Sequence, residues 1–567
     1  MASLTAKIIN GRTYYYAREC RRVNGKPKIV RTTYLGAADD LIAAVLEKQQ
    51  ARVPKPHSVS IAAYGDVVAL FDLAQQIGLV DILDRHFPKR DQGLSVGQYI
   101  LLAALNRAVE PTSKLQFADW HRQTALARLL PASADQLSSQ SFWNHFNFVE
   151  EKHIEAIERE LSLRLIDQFQ LSLRTLTYDG TNFFTFIDSN NPAELPQRGH
   201  NKQKRNDLRQ VSLGMLVSTD FHVPLFHKIY AGNVPDCTIF QTITAELSIR
   251  YRELARDCEH ITLIFDKGNN SEESFKTLDN SKFHFIGSLV PSHHADLLDV
   301  PTSRYQPLEG ERLKDVRAYR TQKAIYGQER TIVVTHNDNL LHGQLQGLTP
   351  ALDKARGKLR EIQAKLRRRR EGRTRGGKAM TAASIRKQAQ DALVGQHVKA
   401  VLKFEVSEED GVPTLTFETD RVALSRLIDK QLGKTILFTD NGDWNDEEII
   451  LGYRAQHHIE DAFRQMKHPH YLGWQPMFHW TDSKIRVHAF TCVLALTLSS
   501  LLQRTLHEKK IDLSLPRMFE LLHGIRETLV IYPKKPGQRH PSVSKTLSTL
   551  NAEQEQLVTT LGLDRYL

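Results

Sequence analysis

The chain has 567 residues, 41% of them hydrophobic and 25% charged. That is enough for three or four domains with a sizeable core, which excludes wholesale disorder. The net charge of +11 suits a polyanionic partner without requiring one.

Four cysteines, Cys20, Cys237, Cys258 and Cys492, stand far apart with no CxxC pair. Neither a zinc site nor a disulfide framework is expected. The first residues lack the apolar stretch of a signal peptide. The most apolar run, Val487–Leu502, is short for a membrane span and reads as a buried helix. A soluble, cytoplasmic protein is the expectation.

Arg12 to Gly36 alternate β-prone residues around Asn24-Gly25, a hairpin signal. From Gly65 to Phe169 the spacing turns helical, with helices expected over Asp66–Ile77, Ser95–Val109 and Glu150–Phe169. This domain is either a packing module or a reader that places a helix in a DNA groove. Strands are then expected at Leu173–Ile187, Gln210–Ser218, Val223–Tyr230, His260–Asp266 and Phe283–Leu289, with helices at Cys237–Leu254 and Glu272–Leu278. Short links predict that the first three strands form an antiparallel meander. The helical crossovers predict that the last two are parallel. That order is the one found in the ribonuclease-H-like fold, here a mixed five-stranded α/β sheet with flanking helices.

Residues from about Tyr305 to Leu432 interrupt the pattern. Thr349-Pro350 reads as a helix start, and Leu352, Ala355, Leu359, Ile362 and Leu366 follow as a coiled-coil-like seam. A second helix near Ala382–Leu393 and strands near Lys399–Glu405 and Thr414–Thr419 complete an inserted α+β domain. Lys354 to Lys378 hold twelve Lys or Arg and two acids, including Arg367, Arg368, Arg369 and Arg370. The run is either a solvated coiled-coil tip or a phosphate contact that supplies affinity rather than sequence choice.

Asp179 interrupts an apolar strand and Asp266 ends another. A carboxylate at a buried strand edge is costly unless it is paired or binds a cation. Each alone reads more often as a turn or cap residue; together, on neighbouring strands, they can share a cation. A helix expected over Glu447–Lys467 sets Tyr453, Gln456, Glu460 and Lys467 within about 60° of one another. An ordinary amphipathic helix would look the same, and Asp461, about 100° away, is a rival carboxylate. Three hard oxygen ligands suit Mg²⁺ or Mn²⁺. Two such ions can promote in-line displacement at phosphorus without a covalent protein nucleophile.

These residues resemble an insertion-sequence DDE transposase of the group with a Y-x2-R-x3-E-x6-K signature. The resemblance is carried by Tyr178-Asp179-Gly180-Thr181-Asn182, by Arg198-Gly199-His200-Asn201-Lys202 with Arg205, Asp207, Leu208 and Gln210, and by Gly232-Asn233 with Asp236. Phe265-Asp266-Lys267-Gly268, Ile459-Glu460-Asp461-Ala462-Phe463-Arg464 with Lys467, and Met477 through His488 continue it. It implies a ribonuclease-H-like core interrupted before its third acid, with Asp179, Asp266 and Glu460 as catalytic and metal-holding residues. It also implies that Tyr453 and Lys467 contact transposon-end phosphates. Gln456 stands at the signature's Arg position, with Arg454 two residues earlier, and Gln lacks the charged fork of Arg. Arg464, Lys202 and Arg205 are further DNA-binding candidates; a basic loop between strands is the alternative for the last two.

The expected organisation is a basic β element over 1–55 and a helical DNA-end-binding domain over 56–170. The core spans 171–304, the insertion 305–432, the core's completion 433–510 and a helical tail 511–567. The implied activity is metal-dependent cleavage and joining of double-stranded DNA at terminal inverted repeats, by a homodimer. A nuclease or resolvase on the same fold, or a DNA-binding protein without catalysis, remains the alternative.

Overall fold

The computed structural model describes residues 2–23, 26–50, 56–88, 93–201, 203–254, 261–373, 380–409, 411–534 and 540–567. The expected Asn24-Gly25 turn, Lys202 and His260 therefore lie outside the described residues. The chain divides into two compact units, one from residues 1–68, 121–129 and 520–567, the other from 69–120 and 130–519.

The first unit opens with an antiparallel meander of β1 (Ala2–Ile9), β2 (Arg12–Val23) and β3 (Lys26–Ala37). Asn10 and Gly11 join β1 to β2, both at positive φ, 51° and 77°. That is the backbone of a two-residue type I′ hairpin, which favours Asn-Gly. In the same unit β4 (Ser58–Ala63) pairs with Arg526–Ile531, which pairs in turn with Val543–Leu547.

The second unit is built on a nine-stranded mixed sheet. Its inner strands are β5 (Thr175–Thr185), β6 (Arg209–Ser218), β7 (Pro224–Ala231), β8 (Thr262–Ile264) and β9 (His284–Leu289). β5, β6 and β7 form the expected antiparallel meander, and β8 and β9 join parallel to β5. The sheet is wider than the five strands expected. β10 (Gln306–Pro307), β11 (Val316–Ile325) and β12 (Gln328–Asn337) extend it. A hairpin of β13 (Leu402–Glu409) and β14 (Val412–Thr419) stands apart, and β15 (Lys434–Thr439) returns to link β12 with β9. Residues 306–337 thus belong to the central sheet, because β12 finds its partner in β15, about a hundred residues further on.

One face of the sheet carries an aromatic core of Phe265, Phe285 and Phe438 with Phe240 and Phe275 from the helices Asp236–Leu254 and Glu272–Asp279. Helices Glu151–Phe169 and Asp482–Glu508 pack on β7. The second of these, the core helix, has 27 residues, longer than the apolar run suggested. Its length and composition would allow a membrane span, yet 94% of its most apolar window is buried inside the protein.

Between β12 and β15 runs a helix of 33 residues, Asp338–Arg370, about 50 Å long. It starts at Asn337, whose side chain accepts from Leu340 N, and not at Thr349; Pro350 lies inside it. An interior proline costs about 3 kcal/mol. Each buried leucine offsets about 1.5–3 kcal/mol, and Leu348 and Leu352 are buried on either side of Pro350. The predicted seam residues are all buried, against Ile385, Ala389 and Ala392 of helix Ala382–Ala392. Lys399, expected to open a strand, lies in a helical turn, Val398–Val401, and the strand begins at Leu402.

A candidate catalytic face at the carboxyl ends of two parallel strands

The pairing of β5 with β8 aligns Thr175 with Thr262, Leu176 with Leu263 and Thr177 with Ile264. Asp266 keeps an extended backbone, φ −81° and ψ 160°, so the same register carried two residues on sets Asp179 beside Asp266. Adjacent strands lie about 4.8 Å apart and matched residues share a face. The pairing of β8 with β9 likewise aligns Asp266 with Ser288, whose hydroxyl donates to Asp266 Oδ1 at 3.4 Å. Asp179 accepts from Gly180 N at 2.8 Å.

The expected helix over Glu447–Lys467 is two helices. Asp446–Arg454 carries Tyr453 and His457–Met466 carries Glu460. Ala455 and Gln456 form a tight turn between them, with Ala455 N bonded to Gly452 O and Gln456 N to Tyr453 O. Ile449, Ile450 and Tyr453 of the first helix pack on Ile264 and Ile286 of the sheet. Gly452 permits this approach, since a Cβ there would lie 2.8 Å from Ile286 Cδ1.

Tyr453 is thereby aimed at the strand carboxylates. Its hydroxyl donates to Ser288 Oγ at 2.8 Å and approaches Asp266 Oδ1 at 3.4 Å. Burial pushes its pKa up to about 12, assisted by the negative charges of Asp266 and Glu460. The phenol keeps its proton at neutral pH and remains a donor. Glu460 itself is exposed on its helix. Among the described residues no three His, Cys, Asp or Glu side chains are grouped closely enough to hold a metal ion. The β5–β8 register, continued two residues, sets Asp179 level with Asp266, while the structure does not group Glu460 with them; its charge only adds to the rise of the Tyr453 pKa.

The other end of the Glu460 helix is tied to β5. Lys467 Nζ donates to Thr181 Oγ1 at 2.6 Å and lies 5.3 Å from the Phe183 ring centroid. Thr181 follows Asp179 by two, on the same face of β5. Beneath Lys467, Phe183 stacks on Trp474 at 4.1 Å. Gln456 is half-buried, and its amide nitrogen is enclosed without a hydrogen-bond partner. Arg454 donates to Arg312 O at 3.2 Å, Arg464 pairs with Asp461 at 2.5 Å, and Arg205 makes a two-pronged bond to Asp207 at 2.8 and 2.9 Å. The Arg205 guanidinium holds Asp207 down at about 2. Arg367, Arg368, Arg369 and Arg370 form the last turn of the long inserted helix. All but the half-buried Arg369 are exposed, and Arg367 is bonded to Glu371 at 3.0 Å. Ser288 went unread in the sequence, and Thr181 was read only as part of the resemblance, with no contact assigned to it; a polar residue at matched parity in an apolar strand was the available signal.

His458, two residues before Glu460, meets His222 with 3.3 Å between their Nδ1 atoms. Burial lowers both pKa values, that of His222 to about 4; the charges of His458 and His457 lower that of His222 further, and His457 lowers that of His458. Asp461 and Asp220 oppose the shift. Unfolded histidines bind protons near pH 6.5. The stability from this pair is thus complete above about pH 6.5 and lost as pH falls towards 4. Denaturant titrations across that range should show a falling midpoint, and His222→Phe with His458→Phe should flatten the decline; an unchanged slope would rule the pair out as its source.

Residues 178–498, more than half of the chain, match the family model described as the transposase DDE domain. The chain belongs to the DDE transposase family, and is by that membership a transposase, an enzyme of DNA transposition. No curated protein matches it. Among solved structures it is similar to a piggyBac transposase synaptic complex with hairpin DNA, at 9% identity and a TM-score of 0.35, covering 82% of each chain. A Mos1 transposase paired-end complex with left transposon end shows 12% identity and a TM-score of 0.15, over 35% of this chain and 60% of that one. A Mos1 mariner paired-end complex with Mn shows 14% and 0.14, over 44% and 72%.

Proposed function

We propose that the protein is an insertion-sequence transposase of the Y-x2-R-x3-E-x6-K group, with a ribonuclease-H-like core. In this reading it binds terminal inverted repeats as a homodimer in the cytoplasm, cuts at the element ends and joins them to target DNA. The observation that carries the reading is the parallel pairing of β5 with β8, which continued two residues sets Asp179 level with Asp266, with the Tyr453 hydroxyl 3.4 Å from Asp266.

Asp179, Asp266 and Glu460 are all hard oxygen donors, which fits Mg²⁺ or Mn²⁺. Two such ions, when bound, activate the attacking water or 3′-hydroxyl and stabilise the leaving oxygen. The chain's own residues prepare that step. Ser288 donates to Asp266 and is itself held by the Tyr453 hydroxyl. The Lys467 ammonium keeps N–H donors beyond the one given to Thr181, and the Tyr453 hydroxyl, once turned from Ser288, supplies another for DNA phosphates. Gln456 supplies no charge there, and Arg205 is already engaged by Asp207. The exposed arginines of the Arg367–Arg370 turn add affinity for the backbone of either DNA partner. Glu460 must approach the strand carboxylates for the ligand set to close, and the turn at Ala455-Gln456 is where its helix departs from the one anchored by Tyr453.

The test is an in vitro reaction of the full chain with a duplex bearing the element's own end and a second duplex as target. Cleaved ends and joined products are expected with Mg²⁺ or Mn²⁺, and neither with EDTA. Cleavage without joining would favour a nuclease or resolvase. Binding without cleavage in either ion, or cleavage undiminished by EDTA, would overturn the proposal.

A further inference from the structure

The meander β1–β3 has no hydrophobic core of its own. Only Gly36 is buried among its described residues, and Leu4 and Ile8 are 62% and 75% exposed. A sheet of this kind gains little from burial, so its side-chain composition answers to something outside it. Residues 1–37 contain eight Lys or Arg and one acid, Glu19. Among the described residues none of the eight has an ion-pair partner within 4 Å, although surface cations elsewhere in the chain commonly do.

The register sorts these residues by face. Lys7 opposes Tyr14, Thr5 opposes Tyr16 and Ser3 opposes Arg18. On the other side Tyr16 opposes Tyr34 and Arg18 opposes Thr32. Opposed residues share a face, so one face presents Arg12, Tyr14, Tyr16 and Arg18 along the central strand. Lys7 and Tyr34 flank them. The rings form a cluster, with Tyr34 at 6.1 Å from Tyr14 and 5.3 Å from Tyr16, and Lys7 Nζ 5.6 Å from the Tyr16 centroid. Arg18 Nε is enclosed without a hydrogen-bond partner. The carboxylate Glu19 opposes Arg31 and belongs to the opposite face.

We propose that this face of β1–β3 is a docking surface for duplex DNA. Three strands span about 10 Å, comparable with a major groove of about 12 Å. Lys7, Arg12 and Arg18 meet phosphates along its walls, and the tyrosine hydroxyls donate to phosphate or sugar oxygens between them. Contacts of this kind give affinity and orientation. The inference deepens the transposase reading and rests on it; it assigns end capture to the basic sheet, a role the sequence offered to the helices of residues 56–170.

The test uses the full chain with Lys7→Ala, Arg12→Ala and Arg18→Ala combined, titrated against an element-end duplex at several salt concentrations. Each lost phosphate contact lowers the salt slope by about 0.9. A slope smaller by about 2 to 3 and at least tenfold weaker binding near physiological salt are expected; Lys7 and Arg12 are exposed and Arg18 half-buried, so a melting temperature close to that of wild type is the accompanying check that the fold persists. Arg12→Lys with Arg18→Lys should keep the slope. An unchanged slope and affinity in the triple variant would overturn the proposal, as would a changed oligomeric state with DNA binding intact, which would mark the face as a contact between copies. Wild-type cleavage and joining, measured alongside, tests the transposase reading separately: if that activity is present and the triple variant binds normally, the sheet assignment alone fails.

Discussion

Asp179→Asn and Asp266→Asn should each abolish DNA cleavage while leaving binding to the element end within a few-fold of wild type. Outer-shell partners of metal ligands typically cost 10–100-fold when removed, so a direct ligand should cost more than about 100-fold. The substitution keeps shape and removes charge. At Asp266 the hydrogen bonds from Ser288 and Tyr453 reach a carboxylate oxygen that Asn can still present, so the local fold should persist. Glu460→Gln should behave alike. Single-turnover cleavage in Mg²⁺, with binding followed by mobility shift, reads both quantities. A variant that cleaves at the wild-type rate would remove its residue from the site.

The largest expected stability effect lies at Arg107. It sits in helix Val96–Val109, 2% exposed, and donates to Gly473 O, Pro476 O and Thr112 O. Burial lowers its pKa, yet its guanidinium remains charged. Arg107→Ala would strand three carbonyls, each worth about 1–3 kcal/mol when left unsatisfied. A loss of about 3–5 kcal/mol follows, or a thermal midpoint lower by about 3–5 °C in a unit of this size. The same loop carries Trp474, whose ring supports Phe183 below Lys467. Activity should therefore fall even below the new melting point. Arg107→Lys should not restore stability, because one ammonium cannot reach three fixed acceptors. A midpoint within 1 °C of wild type, on the scale of that same argument about unit size, would sink it.

Much of the inner sheet was legible because its strands are apolar runs with local links. Asp179 and Asp266 stood out as charges inside such runs, and strand order then made them neighbours. What escaped the sequence depended on distant partners. β12 lies next to β15 only after a detour of about a hundred residues, so its strands looked like part of an insertion. Nothing local marks the turn at Ala455-Gln456, where neither Gly nor Pro interrupts the helical pattern and packing of Ile449 and Ile450 on the sheet sets the first helix's direction. Pro350 misled for the opposite reason, a strong local start signal overridden by the leucines on either side. Asn10-Gly11 was readable by the same rule applied to Asn24-Gly25.

The core helix has a consequence for how the protein is made. It packs against Val96–Val109, whose thirteen buried residues include Ile100, Leu101, Leu102 and Leu105. Roughly 370 residues separate the end of one helix from the start of the other. At about 5–20 residues per second of synthesis, the earlier helix waits about 20–70 seconds for its partner. Through that interval an apolar surface near the amino terminus stays open on the ribosome. The unit's central packing can close only after the later helix has been made, so chains that stop before it cannot form it and their exposed apolar segments are ready substrates for chaperones and proteases.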